Sequence, residues 1–586
     1  MSCNPAIGGI GKSHLVAEID ALGGEMARNT DRAAVHYKLL NHSRGPAVRA
    51  LRAQCDKLEY ATALRSVLEN QPRLHIKQGT VASLWLQDGE LRGVRTGMDV
   101  AFAADAVILT AGTFLSGVLH TGQTQVSGGR AGEGASTGLG EQLRQLDVRT
   151  LRHKTGTCPR LDAHTIAWDE LEEDPGLVPP PKMSRYSDKV LLPQMPCHAT
   201  ETNARCHEII RSGMDRSPLF SGAIEGVGPR YCPSIEDKVV RFAQRDSHLL
   251  YLEREGWRTA EVYLSGLSTS LPVDVQLQLV RAIRGLQQAE IVRFGYAVEY
   301  DTIDPRQLSR DLQLPQLQGL FFAGQVNGTS GYEEAAGQGL VAGLSAAALL
   351  SDEEAPVFGR DESYIGVMID DLVTRGGNEP YRMFTSRAEH RLSLRTANAD
   401  LRLTPKGRKL GLVSDAQFAE FEQRASRLTR ARDLLNRTKL RPDAATNAHL
   451  KDSGSTAMKT VSSAAELLRR PELQWTDVEP LLPVEFNALQ LSSEDCDELI
   501  TETRYAGYIE REKTRIARNR QAEGTTIAAD FDYSAIGALS TESIEALRRV
   551  RPETLGQAAR IPGVPPAAVS ALAIALHARK RASAKR

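Results

Sequence analysis

The sequence predicts an α/β protein: a parallel, Rossmann-like sheet, interrupted by an α+β insertion and followed by an all-α C-terminal region. Two apolar segments, residues 105–113 and 318–325, end in small residues, as strands do where a backbone closely approaches a bound nucleotide. The second segment runs into a glycine-rich turn and a long helix of small residues. From residue 352 onward the chain is charged and helical in pattern, which predicts the all-α region.

The length and composition of the chain are typical of a globular protein with several domains. The chain has 586 residues, is 41% apolar and carries a formal net charge of −1, so it is long enough for several domains with a sizeable core. Its seven cysteines are scattered and odd in number, which is typical of reduced thiols in a cytoplasmic protein. No segment reaches the ~18 consecutive apolar residues that a membrane helix needs.

The N-terminal segment is rich in glycine and has no strand pattern before it. Residues 6–13 fit a loose phosphate-binding P-loop, but a P-loop needs a buried strand in front of it, which is missing from this pattern. A glycine-rich turn that leads into a helix at residues 13–22 is the favoured interpretation. Helices are also predicted at residues 45–54 and up to Glu69, and strands at residues 74–77, 81–86 and 91–96.

Irregular, proline-rich sequence predicts an inserted unit from residue 151 to about residue 266. Cys197-His198 and Cys206-His207 offer four potential metal ligands inside it. Adjacent Cys-His doublets fit a tetrahedral zinc site poorly, so no metal is expected. Just before the insertion, the glycine-rich loop at residues 127–136 precedes a helix, which makes Arg130 a candidate anion contact; a flexible connector fits the same pattern.

The densest group of reactive side chains lies in residues 226–238. Cys232 stands there between Arg230 and Lys238, and cations beside a thiol favour its reactive thiolate form. The glycines and prolines of this run predict an irregular backbone that faces a ligand. A solvated loop followed by an amphipathic helix is the alternative, and the residues alone leave both open.

Two basic regions predict a polyanionic partner. Residues 380–395 interleave aromatic side chains with arginines, a mixture that binds phosphates and stacks on unpaired bases. After Ala546, nine basic residues stand against the single acidic Glu553. A helix with a solvated basic face and a solvated basic tail are the alternatives. A polar linker is predicted at residues 440–463, followed by a basic helix at residues 505–520.

These segments together resemble the MnmG (GidA) family of tRNA uridine 5-carboxymethylaminomethyl modification enzymes. The resemblance runs from end to end, through residues 2–9, 228–238, 322–325 and 380–387 and the closing helices. It implies a glutathione-reductase-type FAD-binding domain with an inserted NAD-binding subdomain. It also implies non-covalent FAD, NADH as reductant, a folate-derived one-carbon unit, glycine or ammonium as amine source, and a tRNA wobble uridine as substrate. The expected assembly is a cytoplasmic homodimer that forms a heterotetramer with the GTPase MnmE.

The resemblance also implies domain boundaries. Residues 1–150 and 267–350 are expected to form the FAD-binding domain, and residues 151–266 the inserted NAD-binding and substrate subdomain. Residues 351–500 are expected to be a helical domain with a tRNA-binding surface. Residues 501–586 are expected to form a second helical domain that binds tRNA and the partner.

The family's functional residues map onto this chain. Cys232 is implied as the nucleophile towards the uracil ring and Cys3 as a second functional thiol, with Asp237 a proton acceptor and Lys238 a cation beside the sulfur. The implied FAD contacts are Val81, Ser136 and Gln325. The implied NAD site comprises Gly228, Pro229, Arg230, Tyr231, Cys232, Pro233, Ser234, Ile235, Glu236, Asp237, Lys238, Val239, Val240, Arg241 and Phe242. The implied tRNA contacts are Tyr381, Arg382, Arg387, Arg391, Arg548 and Arg549.

Two features depart from the family pattern. Cys158 stands where the family's Lys-Thr-Gly-Thr-Pro-Pro-Arg motif has its first proline, which we interpret as a loop adjustment. The family also has about forty residues before the Ser-Cys-Asn-Pro motif, which carry a strand, a Gly-x-Gly-x-x-Gly turn and a helix that seat the FAD pyrophosphate. We therefore expect this polypeptide to bind FAD poorly or to be unstable, with the true start upstream of Met1.

Two other functions remain open from the sequence. A folate-dependent tRNA uracil methyltransferase uses overlapping flavin and folate chemistry, but the long helical C-terminal region argues against it. A tRNA-binding scaffold without flavin is the second alternative. A flavin absorbance band that NADH bleaches distinguishes an enzyme from such a scaffold.

Overall fold

The computed structural model describes residues 3–229, 233–377 and 379–583. Its strands are β1 Ala6–Gly8, β2 Ala34–Leu40, β3 Ala50–Cys55, β4 Val81–Gln87, β5 Glu90–Thr96, β6 Ala101–Ala103, β7 Val107–Leu109, β8 Val118–Thr121, β9 Thr124–Ser127, β10 Thr150–Gly156, β11 Arg160–Asp162, β12 Glu172–Asp174, β13 Cys197–Glu201, β14 Leu249–Arg254, β15 Glu261–Ser265, β16 Ile291–Arg293, β17 Ala297–Ile303, β18 Leu320–Phe322, β19 Lys439–Leu440 and β20 Ser462–Ser463.

The α-helices of the same residues run along the whole chain and dominate its C-terminal part. They are α1 Lys12–Ala21, α2 Met26–Ala33, α3 Lys57–Glu69, α4 Thr137–Gln145, α5 Ala204–Ser212, α6 Ile235–Arg241, α7 Val273–Arg281, α8 Tyr332–Leu350, α9 Tyr364–Arg375, α10 Ala399–Lys409, α11 Asp415–Arg437, α12 Ala444–Asp452, α13 Ala464–Leu468, α14 Trp475–Val478, α15 Val484–Asn487, α16 Ser493–Arg504, α17 Ala506–Glu523, α18 Thr541–Val550, α19 Leu555–Ala558 and α20 Pro566–Ser583.

A parallel strand pair lies at the centre of the first half of the chain. β7 and β18 run parallel with Val107 opposite Leu320, and within the described residues they form a two-stranded sheet. Phe321 and Phe322 are completely buried, and α8 packs against both strands. The predicted return of the chain to a parallel sheet is confirmed, and the apolar strand residues form its core because parallel strands are covered on both faces.

The prediction of a helix at residues 45–54 is wrong. Ala50–Cys55 form β3, which pairs antiparallel with β1 on one side and β2 on the other. Ala53 and Cys55 are fully buried in this small sheet. The alanines and arginines of the segment favour a helix locally, but pairing on both edges and burial outweigh that preference.

The inserted unit is a six-stranded sheet in the order β12-β13-β14-β15-β11-β16, with α5, α6 and α7 beside it. Its apolar core includes Leu252, Leu264 and Leu279. β16 ends at Arg293, so the unit extends beyond the boundary predicted at residue 266. The sequence boundary is too early because β16 pairs with β11 and α7 packs into the same core, contacts that no local pattern around residue 266 encodes.

The C-terminal region is all-helical, as predicted, and forms two apolar clusters. The predicted polar linker at residues 440–463 is instead part of the first cluster, since α12 buries Leu450 completely and Met458 is 5% exposed. Residues 380–395 are turns and a short 3₁₀ segment, Thr385–Arg387, and residues 74–77 form no strand. The helices of the described residues include none that combines the length and apolarity needed to cross a membrane.

His14 is a buried imidazole of α1. It is 1% exposed, its Nε2 atom lies 3.2 Å from the carbonyl oxygen of Ala47, and its ring packs on Tyr364. Burial lowers the pKa of His14 to about 4. In the unfolded chain His14 is protonated near pH 6.5, whereas in the folded chain it stays neutral until about pH 4. The free energy of unfolding therefore decreases as the pH falls from 6.5 towards 4.

We expect replacement of His14 by glutamine to flatten the loss of stability in acid. Between pH 7 and pH 4 the wild-type protein should lose about 3 kcal/mol more than the variant in free energy of unfolding, measured by urea denaturation. The control is His42→Gln, the same substitution at an exposed position, where surface replacements usually change stability by less than about 0.5 kcal/mol. Equal profiles for wild type and His14→Gln would contradict the prediction.

Candidate functional site

A cradle forms where β7 and β18 end. The backbone turns there through Gly112 with φ +58° and Gly324 with φ +83°, a region that favours glycine. A Cβ atom at Gly112 would meet the Oε1 atom of Gln325 at 3.3 Å, and one at Gly324 would meet Ala335 at 3.4 Å. The backbone therefore stays open at the edge where parallel sheets of this kind bind nucleotides.

The three predicted FAD contacts meet around this cradle. The Ser136 hydroxyl donates to the carbonyl oxygen of Val81 at 2.9 Å. The Ser136 amide donates to the carbonyl of Phe114, in the turn that begins at Gly112, and Gln325 covers that turn. Residues that lie far apart in sequence are thus brought together at the carboxyl end of β7.

Buried polar atoms next to the cradle lack hydrogen-bond partners within the described chain. They include Asn327 Oδ1, Ser330 Oγ and Gln338 Nε2, although the Gln338 Oε1 atom accepts from the Gly324 amide at 2.9 Å. Such a group costs about 1–3 kcal/mol when it stays unpaired. The hydroxyl groups of a sugar or ribityl chain match these atoms, so the residues present fit a flavin nucleotide.

The first turn of α8 carries two buried carboxylates. Its carboxylates Glu333 and Glu334 both bind Lys12, at 2.7 and 2.8 Å. Glu333 also accepts from the Gly8 amide and Glu334 from the Met383 amide, at 2.7 and 3.0 Å. The helix end thus carries its own carboxylates, which already interact with the positive end of the helix dipole.

Charge balance stabilises this cluster. Burial works against the charged form of Lys12, but Glu333 and Glu334 outweigh it and raise the pKa of the ammonium. Burial alone would raise the pKa of Glu334, and the Lys12 ammonium holds it below its usual value instead. Sequence reasoning missed this cluster; the adjacent glutamates at the start of an otherwise apolar helix were the available signal.

Part of the predicted nicotinamide and thiol segment lies outside the described residues, namely Arg230, Tyr231 and Cys232. On its N-terminal side, Val227 pairs with His153 on β10, and the Gly226 amide donates to Glu299 Oε1 at 2.6 Å. On its C-terminal side, Ser234 caps α6 by accepting from the Asp237 amide at 3.2 Å. Both flanks are therefore fixed, one to the β10 sheet and one to the inserted unit.

The first turn of α6 carries three charged side chains. Glu236 is fully buried and accepts from the Thr269 hydroxyl and the Ser270 amide, each at 3.0 Å. Burial raises the pKa of Glu236. Asp237 lies 3.8 Å from Arg241, and the Lys238 ammonium donates to the carbonyl oxygen of Gly266 at 2.9 Å. Glu236 is thus a structural anchor, whereas Asp237 stays partly exposed.

Cys3 lies against the inserted sheet. It is exposed, and its sulfur is 3.9 Å from the hydroxyl oxygen of Tyr263 on β15. The Arg160 guanidinium lies over the Tyr263 ring, 4.6 Å from its centre, and binds Glu255 at 2.9 Å. The second predicted thiol thus has a defined protein contact in the inserted unit.

The predicted tRNA contacts divide by exposure. Tyr381 is 5% exposed, donates to Asp371 at 3.1 Å and lies under the Arg387 guanidinium, which is 4.3 Å from its ring centre. Its ring is not available to stack on a base, because it is buried and one face is covered by Arg387. The backbone holds it there: the Tyr381 amide donates to the carbonyl of Gly328, and the Thr329 hydroxyl donates to the Tyr381 carbonyl.

The arginines of the predicted tRNA surface remain at least partly accessible. Arg391 is exposed, and Arg382 and Arg387 are half-buried. On α18, Arg548 and Arg549 are exposed, and Arg548 lies 3.5 Å from Asp532. Arg391 is therefore the position in residues 380–395 where a phosphate contact costs the fold least.

An ion cluster that sequence reasoning also missed joins the two halves of the chain. Asp370 on α9 binds Arg310, Arg360 and Arg560, the first two at 3.1 Å and the last at 2.6 Å. Arg560 follows α19, so this carboxylate fixes the C-terminal helices to α9. The ion cluster could not be predicted because its arginines are isolated and far apart in the sequence.

Comparisons with known proteins cover nearly the whole chain. Residues 1–354 match the family model for glucose inhibited division protein A, residues 415–513 that for the tRNA modifying enzyme MnmG/GidA C-terminal helical domain, and residues 515–586 that for the MnmG/GidA C-terminal helical bundle. The tRNA uridine 5-carboxymethylaminomethyl modification enzyme MnmG of Geobacter sulfurreducens is 51% identical over 583 residues, covering 100% of this chain and 92% of that protein. The protein of the same name from Pelobacter propionicus is 50% identical over 578 residues, covering 99% and 92%.

A solved structure has the same fold. Aquifex aeolicus GidA, in its form II crystal, superposes with a TM-score of 0.88 at 41% identity, covering 98% of this chain and 92% of that one. The predicted fold class is thereby confirmed: an α/β FAD-binding domain with an inserted unit and an all-α C-terminal region.

Proposed function

The chain belongs to the MnmG/GidA family of tRNA-modifying enzymes, and we propose that it adds a carboxymethylaminomethyl group to carbon 5 of a tRNA wobble uridine. The observation that carries this proposal is the end-to-end match, at about half identity, to enzymes named for that modification. Neither alternative function is favoured: the match includes both C-terminal helical units, which argues against the methyltransferase, and the similar proteins are named as modification enzymes, which argues against a scaffold.

We propose FAD as the resident cofactor, in keeping with the family's general dependence on it. Gly112, Gly324 and Gln325 would hold it at the cradle, with Val81 and Ser136 on the facing side. FAD supplies two-electron redox chemistry when bound, with NADH as the proposed reductant and a folate-derived one-carbon unit as co-substrate. Residues 228–242 are the proposed nicotinamide site, and glycine or ammonium the proposed amine source.

Cys232 is the proposed nucleophile. Addition of its thiolate to carbon 6 of the uracil ring makes carbon 5 electron-rich enough to attack a one-carbon electrophile. Asp237, which is partly exposed at the start of α6, is the proposed acceptor of the proton that carbon 5 then loses. Departure of the sulfur from carbon 6 restores the ring, and Cys3 is the proposed second thiol.

Replacement of Cys232 by serine is expected to abolish modification, because a serine hydroxyl at neutral pH is a far weaker nucleophile than a thiolate. The measurement is the modified nucleoside by mass spectrometry after incubation with tRNA, NADH, a one-carbon folate and glycine. Cys496→Ser, a half-buried thiol on α16, is the matched control and should retain full activity. Product formation by Cys232→Ser at the wild-type rate would refute the assignment.

The tRNA-binding surface is expected to include Arg391, Arg548 and Arg549. Removal of one phosphate contact should reduce the slope of log affinity against log salt by about 1. Filter binding of tRNA across a salt series measures this slope for Arg391→Ala and for the double variant of Arg548 and Arg549. Arg65→Ala, which loses only an exposed pair with Glu69 on α3, is the control. Unchanged slopes would identify these arginines as a solvated basic face.

We further propose a homodimer that assembles with the GTPase MnmE into a heterotetramer. The support is family membership, which includes both C-terminal helical units. Light scattering of the purified chain, alone and with the GTPase, tests it: a monomer in both conditions would refute the assembly.

A further inference from the structure

We propose that Glu299 is a positioning residue for the nicotinamide site, because its buried carboxylate fixes the two residues just before that segment. This role rests on the nicotinamide site proposed above, which begins at Gly228. It adds a residue of β17, far along the chain from residues 228–242, to the groups on which that site depends.

One carboxylate oxygen holds two successive backbone amides. Glu299 Oε1 accepts from the Glu225 amide at 3.0 Å and from the Gly226 amide at 2.6 Å. Glu299 is 6% exposed, so little water competes for either bond. Hydrogen bonds from amides to an ionised carboxylate are stronger than those to a neutral acceptor. The chain that leads into the nicotinamide segment is therefore bound to β17 by two charge-assisted hydrogen bonds.

The other oxygen of Glu299 faces basic side chains. Oε2 lies 3.5 Å from His120 Nε2 and 3.6 Å from Arg152 Nη2. Lys154 stands directly opposite Glu299 where β10 pairs with β17. Burial works against the charged form, but His120 and the amide of Gly226 outweigh it and hold the pKa of this carboxyl below its usual value. The carboxylate therefore stays ionised at neutral pH, the form that binds both amides best.

Backbone pairing fixes the next residue to the same sheet. The Val227 amide donates to the Arg152 carbonyl at 3.2 Å, and the Lys154 amide donates to the Val227 carbonyl at 3.0 Å. Val227 thus adds one residue of parallel pairing to β10, opposite His153. Its side chain is 45% exposed. Hydrogen bonds, rather than apolar burial of Val227, therefore hold the segment at this edge of the sheet.

The segment approaches the sheet most closely at Gly226. A Cβ atom there would lie 3.0 Å from Glu299 Oε1 and 3.0 Å from the carbonyl carbon of His153. At Gly228 the nearest atom would be Lys154 Cδ at 3.4 Å, an ordinary contact. The chain is thus tightest at the residue that Glu299 binds and has more room where the nicotinamide site begins. Glu299 therefore sets the point at which that site leaves the sheet.

Hydrogen–deuterium exchange of the full chain, without ligand, tests the anchor. In Glu299→Ala the amides of Glu225 and Gly226 should exchange about tenfold faster than in the wild type, because they lose their common acceptor. Glu299→Gln should show a smaller increase, since its side-chain oxygen still accepts a hydrogen bond but carries no charge. Glu201→Ala, which removes an exposed glutamate from β13, is the matched control and should exchange like the wild type.

Fluorescence titration with NADH tests the consequence for the site. The dissociation constant should rise about tenfold in Glu299→Ala, the effect of losing one such hydrogen bond, and by less in Glu299→Gln. Gly226→Ala should also weaken NADH binding, because its methyl group displaces the segment while Glu299 keeps its charge. A variant that only unfolds in part would instead bind fewer NADH molecules with an unchanged dissociation constant.

Unchanged exchange at Glu225 and Gly226 in Glu299→Ala would overturn the anchor. Faster exchange throughout β10 and β17 would also overturn it, since Glu299 would then support the whole sheet rather than this segment. Faster local exchange with an unchanged NADH dissociation constant would overturn the positioning role. A wild-type protein that binds no NADH would refute the nicotinamide site and this role with it, and the exchange measurement, made without ligand, distinguishes that outcome from a failed anchor.

Discussion

Replacement of Lys12 by methionine is expected to destabilise the protein by about 3–5 kcal/mol, because it leaves two buried carboxylates without their cation. Glu333 and Glu334 have side chains that are 2% and 0% exposed, so water cannot replace the ammonium. The loss should appear as a lower midpoint in urea denaturation. The same change should weaken FAD binding, because Glu333 ties the glycine-rich N-terminal turn to α8 beside the cradle.

The control for this prediction is Lys409→Met, which removes the same charge from an exposed position at the end of α10 and should cost less than about 1 kcal/mol. A second variant, Glu334→Gln combined with Lys12→Met, should cost less than the sum of the two single changes, since each removes the partner of the other. The prediction would be contradicted if the double variant lost as much free energy of unfolding as the two single variants together. It would also be contradicted if Lys12→Met were as stable as Lys409→Met.

Replacement of Asp370 by asparagine is expected to cost about 3 kcal/mol or more and to loosen the C-terminal helices from α9. Asp370 is bound by three arginines. Removing its negative charge leaves three neighbouring positive charges with less compensation, and they repel one another. Burial favours the neutral form, but Arg560, Arg360 and Arg310 hold the pKa of Asp370 below its usual value. Limited proteolysis should release fragments from the C-terminal region sooner than in the wild type.

Asp361→Asn provides a matched control, because it is the same chemical change nine residues away. Asp361 binds the largely exposed Arg520 at 2.8 Å, and an ion pair of that kind contributes about 0–1 kcal/mol. Denaturation and proteolysis should therefore separate the two variants clearly. Identical behaviour would mean that the Asp370 cluster is no stronger than a surface pair.

Much of the fold was predictable because local patterns coincide with it. The sequences of β7 and β18 are apolar segments that end in small residues, and the basic pattern of residues 505–520 predicts a helix where α17 lies. β3 was mispredicted because its partners, β1 and β2, come from elsewhere in the chain and no local pattern encodes them. Pairing decides such a segment, and pairing is a property of tertiary structure.

The candidate site was predictable to a similar degree. The glycines and the residues Val81, Ser136 and Gln325 followed from the resemblance, and the structure brings them together at one cradle. The ion pair between Lys12 and Glu333 was not predictable from the sequence. The burial of Tyr381 was not predictable either, because a tyrosine among arginines gives the same local sequence whether it is exposed or buried. The solvent exposure of a side chain, unlike local composition, depends on which distant segments pack against it.

The central strand pair has a consequence for how the protein folds. β7 and β18 are joined in space, but the whole inserted sheet lies between them in sequence. During synthesis β7 therefore leaves the ribosome long before its partner, and its apolar edge waits while the inserted unit, with its own core, folds first. Such distant contacts close slowly. We expect refolding to show a fast phase from the inserted unit and a slow phase from strand closure, so the nucleotide cradle is completed last.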